Sequence, residues 1–365
     1  MLDVLFIEPY FGGSHRAFAE GYRRHSRHSI DLLTMPAHKW KWRMRGGAMY
    51  LADRLPVTKP DVLMVSDFLD LATLKALRPE YTAGIPCVAY FHENQLTYPV
   101  RDESERDFQF GLTNMTTCLS ADRVLFNSRY HMESFLRAGD DLLNKMPDCV
   151  PERVPERIRA RSQVTPVGVD LEAIDNIRPD AAERTGPITI LWNHRWEFDK
   201  APETFFRVIE RLDNVGLDFE LAVAGESFRR VPAVFEWAGK CFADRLIVFG
   251  TVPSREDYLQ LLLESDVVVS TAIHEFFGIA VVEAVYAGCV PLLPNRLSYP
   301  EVIPEEAHNR CLYEEEDEMF RQLRDWVQAP ERVRRVDLSG AMERFKWKRV
   351  APDLDATLDA LHDRE

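Results

Sequence analysis

Cysteine is scarce in this 365-residue chain, and its spacing matches none of the usual metal or redox motifs. The six cysteines stand singly with no C-x-x-C pair, so we expect reduced thiols and no disulfide framework. Basic residues are also in deficit, because 45 Lys and Arg stand against 59 Asp and Glu, a net charge of −14. Nucleic-acid binders that rely on bulk charge are basic, so any nucleic-acid partner must be held by a local basic patch.

Long apolar runs and metal motifs are missing as well. The most apolar stretch, Gly278 to Leu293, is interrupted by Glu283 and is too short to span a bilayer. The first eight residues carry two acids and no basic segment, which argues against a signal peptide. The sequence has no H-x-H, H-E-x-x-H or Cys/His set, and its one short Asp-x-Asp lies near the C terminus. We therefore expect a cytoplasmic protein with no membrane partner and no metal.

Short apolar runs alternate with amphipathic stretches along the chain, which is typical of parallel α/β sheets. The alternation restarts at Ile188, so we predict an α/β fold of two Rossmann-like, doubly wound domains that face each other across a central cleft. Ligands of such sheets bind at the carboxyl ends of the strands. Buried strands are predicted at 62–66, 87–91, 188–192 and 219–224. The predicted division is an N-terminal domain 1–170, a linker 171–187, a C-terminal domain 188–340 and a helical tail 341–365 that packs back on the N-terminal domain.

Two glutamates spaced eight residues apart carry the strongest chemical signal. Glu275 is expected just before a helix and Glu283 inside it. The amides of Phe276, Phe277 and Gly278 are expected to be first-turn donors, which suits a phosphate group. A solvated glutamate on an amphipathic helix is the competing interpretation. Glu283 lies among apolar residues, however, where an unpaired charge would be costly.

Two cations five residues apart follow the predicted strand 188–192. Arg195 offers a planar fork for phosphate oxygens, and Lys200 offers a point charge. A diphosphate needs both kinds of neutralisation when it becomes a leaving group. Salt bridges to Glu197 and Asp199 are the competing interpretation.

These residues together resemble the donor-site signature of retaining GT-B glycosyltransferases. The resemblance covers about residues 188–303, including Glu275-x7-Glu283 and the upstream Arg195 and Lys200. It implies a GT-B fold and transfer of a sugar from a nucleoside-diphosphate donor, with no other cofactor. It also implies that Glu275 contacts the donor-sugar hydroxyls and Glu283 the ribose. The family usually has a small residue after the first glutamate, and Phe276 here leaves the shape of the sugar pocket open.

Two segments of the first half contain glycines or polar residues beside a predicted strand. Gly12-Gly13 follows the first strand and allows a ligand to approach the backbone closely, although a tight turn is an equal competitor. Ser14 could cap a helix that begins at His15. His92-Glu93-Asn94 falls at the carboxyl end of a strand, where His92 could hydrogen-bond the donor sugar or position the acceptor.

A third segment interleaves four cations with two tryptophans between residues 39 and 45. Cations hold phosphates while aromatic rings stack on unpaired bases, so this segment is suited to a tRNA anticodon loop. The competing interpretation is a solvated basic strand or loop with its tryptophans in the core.

The three first-half segments, 6–15, 36–46 and 90–99, resemble the tRNA-queuosine alpha-mannosyltransferases, and this resemblance extends over nearly the whole chain. It implies GDP-mannose as donor and the cyclopentenediol of queuosine in a tRNA anticodon as acceptor. The alternatives are a GT-B enzyme with another nucleotide-sugar and a glycan, lipid or small-molecule acceptor, a nucleotide-sugar epimerase, and an RNA-binding module without activity.

The predicted site residues form three sets. The catalytic set is His92, Arg195, Lys200 and Glu275. The donor-binding set is Gly12, Gly13, Ser14, Asn193, Arg195, Lys200, Gly225, Glu275, Phe276, Phe277, Gly278, Ile279 and Glu283. The tRNA-binding set is His15, Lys39, Trp40, Lys41, Trp42, Arg43, Arg45, His92, Glu93 and Asn94.

Overall fold

The computed structural model describes residues 1–102, 104, 106–179, 184–227 and 231–363. The chain divides into two compact units. The N-terminal unit comprises Met1–Gly168 and Trp347–Glu365, and the C-terminal unit comprises Val169–Lys346. Residues 180–183 of the predicted linker lie outside the described residues.

The N-terminal unit is built from a parallel sheet covered by helices. Its strands are β1 (Asp3–Phe11), β2 (Ser29–Pro36), β3 (Val62–Ser66), β4 (Cys87–Phe91), β5 (Arg123–Phe126) and β6 (Ser162–Val164). Its first helices are α1 (Gly13–His25), α2 (Trp40–Ala52), α3 (Leu71–Leu77), α4 (Pro79–Thr82), α5 (Phe108–Ser120), α6 (Arg129–Leu143) and α7 (Val154–Arg159).

The strand order of this sheet is β2-β1-β3-β4-β5-β6. β1 pairs in parallel with β2 on one side and β3 on the other, so the winding reverses between β1 and β3. The apolar sequences of β3 and β4 are buried throughout, as expected for central strands with helices on both faces. The carboxyl ends of β1 and β3 therefore border a switch point, where ligands bind in such sheets.

The C-terminal unit repeats this design. Its strands are β7 (Ile188–Trp192), β8 (Phe219–Ala224), β9 (Leu246–Gly250), β10 (Val267–Val269), β11 (Val290–Pro294) and β12 (Leu312–Tyr313). Its α-helices are α8 (Glu172–Asp175), α9 (Pro202–Asn214), α10 (Val234–Cys241), α11 (Arg255–Glu264), α12 (Ile279–Ala287), α13 (Tyr299–Val302), α14 (His308–Cys311), α15 (Glu316–Val327), α16 (Pro330–Arg334) and α17 (Ser339–Met342). The strand order is β12-β11-β10-β7-β8-β9, so the switch point lies between β7 and β10.

The last helix, α18 (Trp347–His362), belongs to the N-terminal unit. Its Trp347 indole lies against two glycines, since a Cβ on Gly21 or Gly168 would come within 2.3 Å of the ring. Farther along, Asp355 accepts hydrogen bonds from the Tyr22 hydroxyl at 2.8 Å and from a neighbouring serine. The end of the chain is thus fixed on α1. Among the described residues, no helix combines the length and apolarity needed to cross a bilayer.

Candidate functional residues at the switch point of each unit

Lys200 is a buried cation at the switch point of the C-terminal unit. A short 3-10 helix, Phe198–Lys200, follows β7 and leads into α9, and it leaves Lys200 only 5% exposed. The ammonium donates to the backbone oxygen of His274 at 2.8 Å and to the Glu275 carboxylate at 3.3 Å. Its distance to the Asp199 carboxylate is 3.2 Å. The fold therefore brings together two residues, Lys200 and Glu275, that are 75 positions apart in sequence.

The charges of this site follow from Lys200. Burial opposes ionisation of Glu275, but the Lys200 ammonium together with His194 and His274 lowers the pKa of the carboxyl to about 2. Burial and the same ammonium lower the pKa of both His194 and His274 to about 4. At neutral pH the site holds an ammonium, a carboxylate and two uncharged imidazoles.

Arg195 differs from Lys200 in its surroundings. Its side chain is 45% exposed and lies 3.6 Å from the Glu197 carboxylate. Both salt bridges of the competing interpretation are thus present, Arg195 with Glu197 and Lys200 with Asp199. The Lys200 pair is buried, however, and a buried cation between two acids is not a solvated surface pair. Donor binding by Arg195 and Lys200 stays a prediction.

The helix that carries Glu283 begins at Ile279, after a glycine turn. Gly278 is the N-cap of α12 in the left-handed region (φ 98°), and Phe277 N–H is directed to the Glu275 carboxylate at 3.5 Å. The prediction that the amides of Phe276 and Phe277 belong to the first turn is therefore wrong, because the glycine turn delays the helix to Ile279. The first-turn amides that precede the helical ladder are those of Ile279 and Ala280.

Glu283 has a partner that sequence reasoning missed. Arg255, the first residue of α11, forms an ion pair with this largely buried carboxylate. Nearby, Asn193 donates to the Tyr258 hydroxyl at 3.0 Å and to the Ala280 oxygen at 2.9 Å, so it ties the end of β7 to α11 and α12. The burial of Glu283 expected from its apolar neighbours was the available signal, since a buried acid requires a cation.

Gly225, at the end of β8, has a packing role in the described structure. A Cβ there would lie 1.9 Å from the backbone oxygen of His194, so only glycine allows the two loops to approach. Its contact with the donor stays a prediction.

A second polar cluster lies at the switch point of the N-terminal unit and centres on Glu8 of β1. The Glu8 side chain is fully buried. It accepts hydrogen bonds from the Ser66 hydroxyl at 3.0 Å and the Tyr10 amide at 2.8 Å, and it faces Nδ1 of His15 at 3.0 Å. Glu8 and Ser66 were not predicted as site residues, because a single polar residue in or beside an apolar strand gives no signal of a functional site.

His92 lies beside this cluster at the end of β4, as predicted. Its ring centroid is 4.2 Å from that of His15, and its amide donates to the Asp67 carboxylate at 2.9 Å. Nε2 of His92 is buried and has no hydrogen-bond partner among the described residues. A buried imidazole nitrogen without a partner is a place for a ligand hydrogen bond.

The fixed partner of the histidine here is a carboxylate, whereas the fixed partner of the histidines in the C-terminal unit is the Lys200 ammonium. Burial disfavours a proton on His15, but the Glu8 carboxylate together with Asp67 and Glu93 raises the pKa of His15 to about 9. Burial and the nearby His15 hold the pKa of His92 well below its ordinary value. Burial also raises the pKa of Asp67 well above its usual range, against the opposing effect of His15.

The glycine loop and the residues after His92 have mainly local roles. A Cβ on Gly12 would lie 2.4 Å from that of Ala37, so the close approach there is to the protein itself. Helix α1 begins at Gly13, so the prediction that Ser14 caps it is wrong. Asn94 is buried and its oxygen accepts from the amides of the following turn, while Glu93 is partly exposed and accepts from Gln95 at 2.9 Å.

The basic segment forms the start of α2, not a strand or loop. Lys39 is the N-cap in the left-handed region (φ 50°), and the side chains of Lys39, Lys41 and Arg45 are exposed. Arg43 is half-buried and donates to the backbone oxygen of Pro36 at 2.9 Å.

The two tryptophans of this segment have different surroundings. Trp40 packs at 5.0 Å from the ring of Phe110, itself buried. Trp42 is 58% exposed and lies along its own helix over Gly46, where a Cβ would be 2.7 Å from the indole. The competing interpretation, with both tryptophans in the core, is wrong for Trp42. We call Lys39, Lys41, Trp42 and Arg45 the α2 surface.

Solved structures share this two-sheet architecture. A sucrose-phosphate synthase from Thermosynechococcus elongatus matches with a TM-score of 0.71, covering 99% of both chains at 14% identity. Anabaena HepE in complex with UDP matches with a TM-score of 0.67, covering 98% of this chain and 100% of that one at 13% identity. The family model for glycosyl transferases group 1 matches residues 173–340. The fold and this match define a glycosyltransferase of the GT-B class with two Rossmann-like domains, as predicted.

The N-terminal half identifies the family. The family model described as tRNA-queuosine alpha-mannosyltransferase N-terminal matches residues 3–169. The Drosophila melanogaster tRNA-queuosine alpha-mannosyltransferase is 37% identical over 95% of this chain and 93% of its own length. A GDP-mannose-dependent alpha-(1-6)-phosphatidylinositol dimannoside mannosyltransferase of Mycobacterium tuberculosis is 27% identical over 84% of this chain and 76% of its own. The chain belongs to the tRNA-queuosine alpha-mannosyltransferase family.

Proposed function

We propose that this enzyme transfers mannose from GDP-mannose to the cyclopentenediol of queuosine in a tRNA anticodon. The observation that carries the proposal is the match over residues 3–169, because the glycosyltransferase match to the second half leaves the acceptor open. The 27% identity to a GDP-mannose-dependent enzyme supports the donor. The α2 surface supports the acceptor, since a protein with a net charge of −14 needs a local basic patch for RNA. A tRNA acceptor favours a cytoplasmic reaction.

In this proposal the C-terminal site binds the donor. Lys200 and Arg195 neutralise the diphosphate, together with the start of α12 at Ile279. Glu275, ionised because of Lys200, accepts hydrogen bonds from mannose hydroxyls, and Glu283 accepts them from the ribose. The two uncharged histidines beside Lys200 add no positive charge, so the diphosphate is held by the lysine and the arginine.

The reaction proceeds with retention at the anomeric carbon. The bond from that carbon to the acceptor oxygen forms as its bond to the diphosphate oxygen breaks. The acceptor proton passes to the departing diphosphate, so no carboxylate base is needed. Lys200 and Arg195 stabilise the negative charge that develops on the leaving group, which is the largest single contribution in many enzymes. His92, with its unpartnered Nε2, hydrogen-bonds a hydroxyl of the acceptor diol.

The test is incubation with queuosine-containing tRNA and, separately, each common nucleotide-sugar, followed by digestion and mass analysis of the nucleosides. We expect queuosine to gain one hexose with GDP-mannose, and no gain on tRNA that lacks queuosine. A hexose gain with UDP-sugars alone would overturn the donor assignment. GDP release that does not depend on tRNA, with unmodified queuosine, would favour a glycan, lipid or small-molecule acceptor.

A further inference from the structure

The Glu8 carboxylate accepts several hydrogen bonds within the protein, although no role in the reaction has yet been assigned to it. One of its oxygens accepts from Ser66 and Tyr10, and the other faces Nδ1 of His15 at a hydrogen-bond distance of 3.0 Å. Glu8 is completely buried at the carboxyl end of β1. A buried charge costs several kcal/mol unless it is fully satisfied, so this arrangement calls for a function.

His15 connects Glu8 to His92. The rings of His15 and His92 are 4.2 Å apart, and both are more than nine-tenths buried. The backbone of His92 is fixed as well, because its amide donates to Asp67 and its oxygen accepts from Asn127, each at 2.9 Å. Nε2 of His92 is buried and has no hydrogen-bond partner among the described residues.

We propose that Glu8 is a positioning residue, which fixes the His15 ring against His92 and so presents Nε2 of His92 to a hydroxyl of the acceptor. The proposal rests on the proposed function for the identity of that hydroxyl. Glu8 and His15 do not need to touch substrate, since their effect reaches it through His92.

The charged groups around His15 decide its protonation. Glu8 on β1, Asp67 after β3 and Glu93 after β4 all favour its charged form, and burial opposes it. The result is a pKa of about 9, with Glu8 making the largest favourable contribution. Burial, His15 and His131 of α6 all lower the pKa of His92, so its neutral form is favoured. The histidine pair therefore consists of one cation and one neutral ring.

A bound metal is the main rival for this cluster. Glu8, His15 and His92 each offer a ligand atom, and these atoms lie within 4.8 Å of one another. The 3.0 Å distance between the Glu8 oxygen and Nδ1 of His15 is that of a hydrogen bond and also suits two ligands of one ion, so measured metal content decides between the two. Each of the other Glu8 contacts is also a hydrogen bond from a donor.

The test compares Glu8→Gln with Glu20→Gln; Glu20 is a partly exposed glutamate of α1 that pairs with Arg16. The amide cannot balance the His15 proton. We expect kcat to fall about tenfold with an unchanged KM for tRNA, and the alkaline limb of the pH–kcat profile to move from about 9 to lower pH by at least about one unit, since a charge pair at this distance shifts a pKa by 1–3 units. Glu20→Gln should leave both unchanged. Glu8→Gln should have no further effect on kcat in a His92→Ala background.

Imidazole NMR keeps the test independent of the proposed activity. We expect His15 to titrate near 9 in the native protein and well below it in Glu8→Gln. If the native enzyme transfers no mannose while this shift is seen, the proposed function fails and the pairing stands. An unshifted titration, or fully additive effects of the Glu8 and His92 variants, would overturn the positioning role.

Two further measurements address an unfolded Glu8→Gln variant and a bound metal. Ser66→Ala removes one hydrogen bond that holds Glu8 in place and should lower kcat by less than Glu8→Gln does, which covers the case of an unfolded Glu8→Gln variant. Purified protein that carries one equivalent of zinc and loses activity to a chelator would replace the proton pair by a metal.

Discussion

Each switch point buries a histidine beside a fixed charge, and these histidines differ in their charge state. In the N-terminal unit, Glu8 holds a proton on buried His15, whose pKa is about 9. In the C-terminal unit, burial and Lys200 hold His194 and His274 near a pKa of 4. Burial acts in the same direction on all three, so the sign of the fixed partner decides the charge.

The largest effect is expected when the Lys200 ammonium of the C-terminal unit is removed. Lys200→Met should reduce kcat by about 10²–10³, the cost of removing one stabilising donor from a leaving-group site. It should also lower stability by about 3–5 kcal/mol, because Asp199 is left buried and Glu275 partly buried without their cation. Arg195→Ala should lose comparable activity without that destabilisation, since Arg195 is half-exposed. Steady-state kinetics with urea unfolding separates the two effects, and full activity in both variants would contradict the diphosphate assignment.

The next effect concerns the α2 surface and the neighbouring Arg43. Replacing Lys39, Lys41, Arg43 and Arg45 together by Ala should weaken tRNA binding tenfold or more and leave GDP binding unchanged. The slope of log affinity against log salt should fall by about 3, at roughly 0.7 per lost contact with a single strand. Fluorescence titration at several salt concentrations measures both quantities.

The matched control for the α2 surface changes the same charge elsewhere. Replacing Lys240, Arg321, Arg332 and Arg335 by Ala removes four exposed cations from the C-terminal unit. An equal loss of tRNA affinity in this variant would show that net charge, and not the α2 surface, governs binding.

A smaller effect is expected from Gly46→Ala, which alters Trp42 without touching a charge. The added Cβ would lie 2.7 Å from the indole, so the ring must leave its place along the helix. Alanine stabilises a helix by about 1 kcal/mol relative to glycine. Any fall in the free energy of unfolding should therefore be no larger than the contribution of the Trp42 ring contact that is lost. Loss of a base–aromatic stack costs about 1–3 kcal/mol, so tRNA affinity should fall at least several-fold with an unchanged salt slope.

Two companion variants sharpen the Gly46 result. Trp42→Phe should retain more affinity than Trp42→Ala, because phenylalanine still offers a ring. Gly340→Ala, made where no atom lies within 4 Å of the added Cβ, should change nothing. Unaltered tRNA affinity in Gly46→Ala and Trp42→Ala would remove stacking from the account.

The smallest effect is the pH dependence of stability. The folded-state pKa of His15 is raised above 6.5, so its contribution is present below that pH and lost as pH rises through about 9. That of His194 is depressed to about 4, so stability declines as pH falls from 6.5 towards 4. The Tm advantage of the native protein over His15→Gln should shrink towards pH 9, and over His194→Gln towards pH 4. Calorimetry should resolve these shifts, roughly 2–4 °C per kcal/mol, and parallel profiles would contradict the opposite charge states.

Strands were the most predictable part of the fold. The predicted strands 62–66, 87–91, 188–192 and 219–224 coincide with β3, β4, β7 and β8, because central parallel strands are continuous apolar runs. The amides of Phe276 and Phe277 were wrongly expected in the first turn of α12, since the apolar sequence near Phe276 does not show that Gly278 adopts a left-handed turn. A turn of this kind depends on the backbone and not on hydrophobic pattern.

The candidate site was predictable where motifs have fixed spacing. Spacing indicated Lys200 and Glu275, and the structure brings them to 3.3 Å. It could not indicate Arg255 as the partner of Glu283, because that contact joins two helices. Nor could it indicate Glu8, whose partners come from β1, β3 and α1. Pairings across a fold require the strand order, which a single sequence does not give.

The most direct test of the donor site is a crystal structure with bound GDP. The account predicts diphosphate oxygens within hydrogen-bond distance of Nζ of Lys200 and of the Arg195 guanidinium, with the ribose hydroxyls on Glu283. A nucleotide bound elsewhere, with the Lys200–Glu275 pair still closed at 3.3 Å and untouched, would contradict it.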